Sequence, residues 1–182
     1  MEVVFASSNQ IAAHQRKRLR DLQEECFTHV SREEIEECFI AVGFGWILAF
    51  ENQTIVGQVE LHKRTLQFDG KQMLLGGLGG TCVTTSARGR GIAKAIVKKG
   101  LEVLAEEKCD VACLNADIRN HPNGGVYSQL GFRVMKRRIS FADVYGGKRC
   151  DSGELFAPVC SKEIYDLIMN SRKTFHVGRG YW

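Results

Sequence analysis

Apolar residues recur along this chain with two different periods, and the switches between them mark out its elements. Residues 2–6 predict a short strand. From Ile11 to Phe27 the chain is highly charged, with Ile11, Leu19, Leu22 and Cys26 at near-helical spacing, which predicts a helix. Ser31 opens a second helix. Glu34 stands three residues on, as in a capping box, and Ile35, Phe39 and Val42 follow at steps of three and four until Gly43 and Gly45 end it. Trp46 to Phe50 and Thr54 to His62 alternate as strands do, around a turn at Glu51-Asn52-Gln53, and predict a hairpin. A further reversal is expected at Asp69-Gly70, leading into a glycine-rich apolar strand from Met73 to Thr84.

The strongest helical pattern runs from Gly91 to Glu107, with Ile92, Ala95, Ile96, Leu101, Val103 and Leu104 on one face and most of the charges opposite. Val111 to Ala116 predicts a buried strand, and Asn123 to Leu130 a short helix stopped by Gly131. Phe132 to Val144 predicts a bent strand, Glu154 to Val159 another, and Ser161 to Met169 a helix. The order β, α, α, antiparallel strands, then β-α-β-α-β predicts an α/β domain. Its central mixed β-sheet has antiparallel N-terminal strands and one parallel pair, flanked by helices. With two prolines and no linker, residues 1–182 read as a single domain.

Composition narrows the picture modestly. The 182 residues are 44% hydrophobic and 25% charged, so a core can form without disulfides. Seven cysteines, an odd number with no Cys-x-x-Cys pair, suit reduced thiols in a cytoplasmic protein and do not suit a metal site. No basic-then-apolar leader opens the sequence, and no apolar run would span a bilayer, so no membrane partner is expected. The net charge of +4 suits a phosphate-bearing ligand but is too weak to argue for nucleic acid.

The chemistry concentrates in Gly79-Gly80-Thr81-Cys82-Val83-Thr84-Thr85-Ser86-Ala87-Arg88-Gly89-Arg90-Gly91-Ile92-Ala93-Lys94. A strand ends, a short loop follows, and a long helix starts at the glycines. The unpaired N–H groups and the dipole of a helix start favour an anion, and glycine lets the backbone approach it closely. Arg88, Arg90 and Lys94 add full charges, so a pyrophosphate is the natural guest. Walker A spacing is absent around Lys94, and Gly89-Arg90-Gly91 is not followed by the third Rossmann glycine. Arg-Gly-Arg-Gly occurs once and runs into a helix, unlike the repeating disordered tracts that bind RNA.

The pattern that fits is [Q/R]-x-x-G-x-[G/A], here Arg88-Gly89-Arg90-Gly91-Ile92-Ala93, and with it the sequence resembles the GNAT superfamily of N-acetyltransferases. A second element, Asn120 through Tyr127 to Gly131-Phe132, resembles that family's N-x-x-A-x-x-L-Y-x-x-x-G-F, with Asn123 in place of alanine and Val126 in place of leucine. The resemblance is strong over residues 73–135, the expected acetyl-CoA-binding core. It implies acetyl-CoA as acetyl donor, its pyrophosphate held at Arg88, Gly89, Arg90, Gly91, Ile92, Ala93 and Lys94. The backbone of Cys82, Val83 and Thr84 would pair with the pantetheine arm, and Asn120 would contact the cofactor. Tyr127 would be the acid that protonates the leaving thiolate.

The base is not legible. Glu60, Asp117 and His62 are candidates by position, and the strand that carries a glutamate in many relatives is here Gly76-Gly77-Leu78-Gly79-Gly80-Thr81-Cys82-Val83, with no acid. The end of the chain, Gly178-Arg179-Gly180-Tyr181-Trp182 with Asp151-Ser152-Gly153-Glu154 before it, resembles aminoglycoside 2′-N-acetyltransferases. That implies a Trp182 carboxylate lining the substrate site, orienting the amine or acting as base through water. The expected acceptor is a primary amine of a small molecule, aminoglycoside-like compounds included. A protein amine, or a domain that binds CoA without catalysis, are the alternatives. Oligomeric state is open, a homodimer included.

Overall fold

The computed structural model describes residues 1–116 and 125–182. Strand β1 (Glu2–Ser7) is followed by helices α1 (Ala13–Cys26) and α2 (Arg32–Cys38), then by β2 (Gly45–Glu51), β3 (Thr54–Phe68) and β4 (Lys71–Val83). Both hairpins close with two residues of positive φ, Asn52 and Gln53 at 47° and 64°, then Asp69 and Gly70 at 52° and 79°. Such turns match the right-handed twist of the strands they join. Helix α3 (Ile92–Glu106), strand β5 (Val111–Asn115), the single turn α4 (Gly125–Ser128), and strands β6 (Arg133–Val134), β7 (Ile139–Ala142), β8 (Lys148–Asp151) and β9 (Glu154–Pro158) follow. Helix α5 (Lys162–Asn170) and β10 (Phe175–Arg179) complete the order.

Among the described residues, seven strands form one sheet in the order β1-β2-β3-β4-β5-β9-β6, with β4 and β5 its parallel pair. The expected mixed sheet flanked by helices is therefore present. Three strands outside it, β10-β7-β8, make a small second sheet with its own parallel pair, β10 and β7. The bent strand expected over 132–144 is two strands in different sheets, β6 and β7. The C-terminal segment, which carries no strand pattern beyond Phe175 and Val177, is fixed as β10. Helix α2 is shorter than its apolar spacing suggests. Ser31 caps it by accepting from the Glu34 N–H at 3.1 Å, but it ends at Cys38 and buries no residue. Ile35, Phe39 and Val42 stay exposed, Val42 by 91%.

Helix α3 buries Ile92, Ile96, Val97, Gly100, Val103 and Leu104 against one face of β3 and β4. Two glycines bring it close. A Cβ at Gly100 would lie 2.9 Å from Leu78 Cδ2, and one at Gly76 would lie 2.9 Å from Leu104 Cδ1. Helix α1 covers the opposite face with Leu19 and Leu22 against Leu48, Ile55 and Cys82. Because Gly100 faces only flexible side-chain ends, Gly100→Ala should fold with little loss, whereas Gly100→Val should cost about 1–3 kcal/mol by overpacking. Thermal melts read this as about 2–4 °C per kcal/mol for a chain of this size.

Candidate active site

Strand β4 pairs with β5 only at Leu75, Gly76 and Gly77. Beyond Gly77 the two strands part, so the β5-facing edge of β4 from Leu78 to Val83 has no strand partner. On its other edge β4 stays paired with β3, with one irregularity. Gln58 pairs with Cys82 and Glu60 with Gly79, so β4 spends three steps where β3 spends two. This bulge contains Gly80, at φ 55°. A bulge re-aims side chains and backbone, and an unpaired edge accepts an extended ligand as an added strand. The backbone of Cys82 and Val83 lies on this edge. The Cys82 thiol is buried on the α1 side instead, and burial pushes its pKa up.

At the end of β4 the chain turns through Thr85–Ala87 into the glycine loop. Gly89 and Gly91 have φ of 76° and 78°, and a Cβ on either would meet nothing within 4 Å, so the loop's outer surface is open. Gly91 is the N-cap of α3 and supplies no side-chain cap; the first helical bond runs from Ala95 N–H to Gly91 C=O at 3.0 Å. The N–H groups of Ile92, Ala93 and Lys94 thus precede the helix's own ladder, and the loop fits a pyrophosphate. The basic side chains lie less directly on it. Arg88 donates to Val83 C=O at 3.1 Å and to Cys26 Sγ at 3.4 Å. Arg90 forms a two-pronged pair with Glu51 at 2.6 and 2.9 Å, and Lys94 donates to Gln129 at 3.0 Å. Thr84 is held from behind by Glu25, which also accepts from the Thr85 N–H at 2.7 Å.

Tyr127 is carried on α4 and packs against the core shared by α3 and the sheet. Its ring packs edge-on against Phe132 with centroids 6.0 Å apart, and the Thr81 side chain is its polar neighbour on β4. Burial raises its pKa, with the Thr81 side chain working the other way, so the phenol holds its proton at neutral pH. Asn120, Asp117 and His121 lie outside the described residues.

On the face of β3 and β4 away from α3, a stripe of polar residues alternates with the apolar one: Gln58, Glu60, His62 and Arg64. Glu60 is directly opposite Gly79, and its carboxyl fills the space beside Gly43. Burial pushes it up to about 7, against the pull of the Gly43 N–H. His62 lies 3.7 Å from Glu60 and is pushed down to about 4 by burial and by Arg64, so it is neutral.

Trp182 covers the glycines of β4. Its ring occupies the space a side chain at Gly77 would need, and its carbonyl carbon lies 2.9 Å from where a Cβ at Gly79 would sit. It stacks on His62 at 5.5 Å and on Tyr181 at 5.7 Å, with the Arg64 guanidinium 4.6 Å from its ring. Arg64 in turn donates to Val177 C=O at 2.5 Å and Gly180 C=O at 3.2 Å, tying the last residues to β3. Tyr181 donates its N–H to Cys38 C=O at 2.6 Å and its hydroxyl to Glu154 at 3.2 Å.

Among the described residues, the buried side-chain atoms with no hydrogen-bond partner are Gln58 Nε2 and Oε1, both ring nitrogens of His62, Glu154 Oε2 and Trp182 Nε1. Such atoms are rare in folded proteins and call for an explanation. Three of these residues are linked through the C-terminal aromatics: His62 stacks on Trp182, Trp182 on Tyr181, and the Tyr181 hydroxyl donates to Glu154. The polar stripe on β3 is a signal that sequence reading missed, because the apolar alternation of Gly57, Val59 and Leu61 was read and its complement was not. A hollow of about 470 Å³ at the far edge of the sheet, lined by Met1, Val4, Phe50 and Asn52, contains none of these groups.

Sequence comparison matches residues 9–135 to the acetyltransferase (GNAT) domain. The chain is 32% identical over 68 residues to N-alpha-acetyltransferase 30 of Saccharomyces cerevisiae, covering 37% of this chain and 39% of that protein. Among solved structures it resembles Eis1 from Mycobacterium abscessus, with a TM-score of 0.60 at 16% identity, covering 77% of this chain and 33% of that one. It also resembles the ribosomal-protein-S18-alanine N-acetyltransferase from Escherichia coli, with a TM-score of 0.58 at 13% identity, covering 87% and 94%. The chain thus spans about two-fifths of the yeast protein and a third of the mycobacterial one. With the acetyltransferase (GNAT) domain matched over residues 9–135, most of its length, the chain belongs to the GNAT acetyltransferase family.

Proposed function

We propose that this protein transfers the acetyl group of acetyl-CoA to a primary amine of a small cationic molecule. The observation that carries this reading is the position of Tyr127, with the Thr81 side chain as its polar neighbour where β4 bulges and parts from β5. The glycine loop and the N-terminal N–H groups of α3 hold the pyrophosphate, and the free edge of β4 takes the pantetheine arm. When bound, acetyl-CoA supplies an activated thioester at the bulge. There the β4 backbone orients the acetyl group, and Tyr127 gives its proton to the departing sulfur.

The acceptor approaches the other face, among Glu60, Gln58 and Trp182. Carboxylates there favour a cationic amine, and the pairing of Tyr181 with Cys38 and Ala41 narrows the approach to a small one. A polycationic aminoglycoside-like compound satisfies both conditions, with Trp182 orienting its amine. A peptide α-amine is the second reading. It is favoured by the likeness to a yeast protein named for acetylating α-amines and by exposed Phe39 and Val42 beside Gly43.

Calorimetric titration should show micromolar binding of acetyl-CoA with no competition from ATP or NAD; no binding by folded protein would overturn the reading. Thiol release from acetyl-CoA, assayed with tobramycin, spermidine and unblocked octapeptides, separates the two acceptor classes. Binding with no turnover on any amine would leave a CoA-binding domain without catalysis. Tyr127→Phe should slow turnover ten-fold or more with acetyl-CoA affinity near normal, and unchanged turnover would remove Tyr127 as the acid. Gly91→Glu should abolish acetyl-CoA binding through bulk, like charge and a φ of 78° that disfavours side chains, while the fold, followed by circular dichroism, persists. Retained affinity in that variant would rule out the loop as the phosphate site.

A further inference from the structure

In this protein the usual strand for a catalytic carboxylate has none, and the geometry points to Glu60 on the neighbouring strand as the group that deprotonates the acceptor amine. This rests on the acetyl-transfer reading above. Three observations carry it. Glu60 is the cross-strand partner of Gly79, so it lies beside the bulge where the thioester would be presented. Gly43 leaves room for its carboxyl, and Gly79 leaves room for the Trp182 and His62 side chains that line the same face. A Cβ at Gly43 would overlap Glu60, and one at Gly79 would lie 3.0 Å from His62 Nε2. Lastly, Glu60 is not engaged elsewhere: among the described residues its ionic neighbour is His62 at 3.7 Å, and that ring is uncharged near neutral pH.

The groups facing Glu60 leave it able to take up and release a proton. On its own strand these are His62 and, beyond it, Arg64, which is spent on the Val177 and Gly180 carbonyls and on the Trp182 ring. The segment before β2 presents the Gly43 N–H, β4 presents Gly79, and the C-terminal segment presents Trp182. Among the described residues no lysine or arginine pairs with the carboxylate, and burial raises it to about 7.

The step balances as follows. Glu60 takes one proton from the ammonium form of the acceptor, leaving a neutral amine. The nitrogen lone pair forms the N–C bond to the acetyl carbon while the C–S bond breaks. The sulfur leaves with the bond pair and takes the Tyr127 proton. The amide nitrogen loses its second proton, and Tyr127 is reprotonated from solvent or from Glu60. One ammonium and one thioester yield one amide, one thiol and one proton released to water.

The test is the pH profile of kcat/KM for Glu60→Gln, Glu60→Asp and wild type, with whichever of tobramycin and spermidine turns over. Wild type should rise through about pH 7 as Glu60 loses its proton. Glu60→Gln should lose that limb and at least ten-fold in kcat with acetyl-CoA affinity unchanged, and Glu60→Asp should restore part of both. The Glu60→Gln defect should also shrink for a weakly basic acceptor such as hydroxylamine, which is already neutral. A limb preserved in Glu60→Gln assigns the base elsewhere, to the Trp182 end of the chain or to Asp117, and overturns the proposal. A uniform loss with unchanged profile shape makes Glu60 structural and also overturns it.

A second readout needs no turnover. A carboxyl raised in the folded state stabilises below its unfolded pKa, and that contribution is lost as pH rises through about 7. The wild-type minus Glu60→Gln difference in urea midpoint should therefore fall between about pH 4.5 and 7. A flat difference shows that Glu60 does not titrate there and overturns the proposal even if no amine is ever acetylated. A falling difference with no acceptor found leaves the acceptor reading, not Glu60, at fault.

Discussion

Every functional feature of this protein depends on one strand that has almost no side chains in its middle. Residues 76, 77, 79 and 80 of β4 are glycine, so the strand can be approached closely from both faces. On one face Leu104 of α3 presses to the backbone at Gly76, and on the other the Trp182 ring lies where a side chain at 77 would be. Backbone that close to its neighbours is held by packing on both faces and not by β5, which it leaves after Gly77. The parting leaves the β5-facing edge of β4 beyond Gly77 without a strand partner among the described residues, and the bulge at Gly80 lies along it. A strand of ordinary residues would push α3 and the C-terminal aromatics outward and remove the site.

The helix–sheet alternation and the hairpins were legible because each rests on local signals: period-two apolar runs, the Asp69-Gly70 turn, the long amphipathic α3. The start of α3 was legible because Gly91, which takes a left-handed φ as its N-cap, directly precedes the strongest amphipathic run in the chain. What failed to show in sequence was long-range. Nothing local says that Phe175–Arg179 pairs parallel to β7, since Arg64 and the loop after α2 fix it. Helix α2 misled in the opposite way, because Ile35, Phe39 and Val42 have helical spacing but stay largely exposed, with only the edge of the Tyr181 ring against Phe39.

The polar stripe on β3 lies between these cases. Gln58, Glu60, His62 and Arg64 repeat at a period of two, as plainly as the apolar stripe between them. In an antiparallel strand with one wet face that pattern is ordinary. Only burial distinguishes it: Gln58 and His62 are almost wholly covered, and their polar atoms have no partners. The electrostatics follow from the same burial. It raises the carboxyl of Glu60 to about 7 and lowers the imidazole of His62 to about 4, so near neutral pH Glu60 stands close to its own titration, able to take up and release a proton, and His62 is uncharged. Arg64 would reverse that balance if it reached Glu60, and the tail carbonyls keep it occupied.

Arg90 shows how the same reasoning applies at the other end of the site. Its pair with Glu51 has good two-pronged geometry, yet the arginine side chain is 56% exposed. Exposed pairs of this kind contribute about 0–1 kcal/mol, because water screens them and two side chains must be ordered. A diphosphate at the N-terminus of α3 offers a doubly charged partner together with backbone N–H groups. Exchanging Glu51 for that ligand therefore costs little. The pair holds Arg90 near the loop, and in the proposed cofactor site it is a bond weak enough to give up.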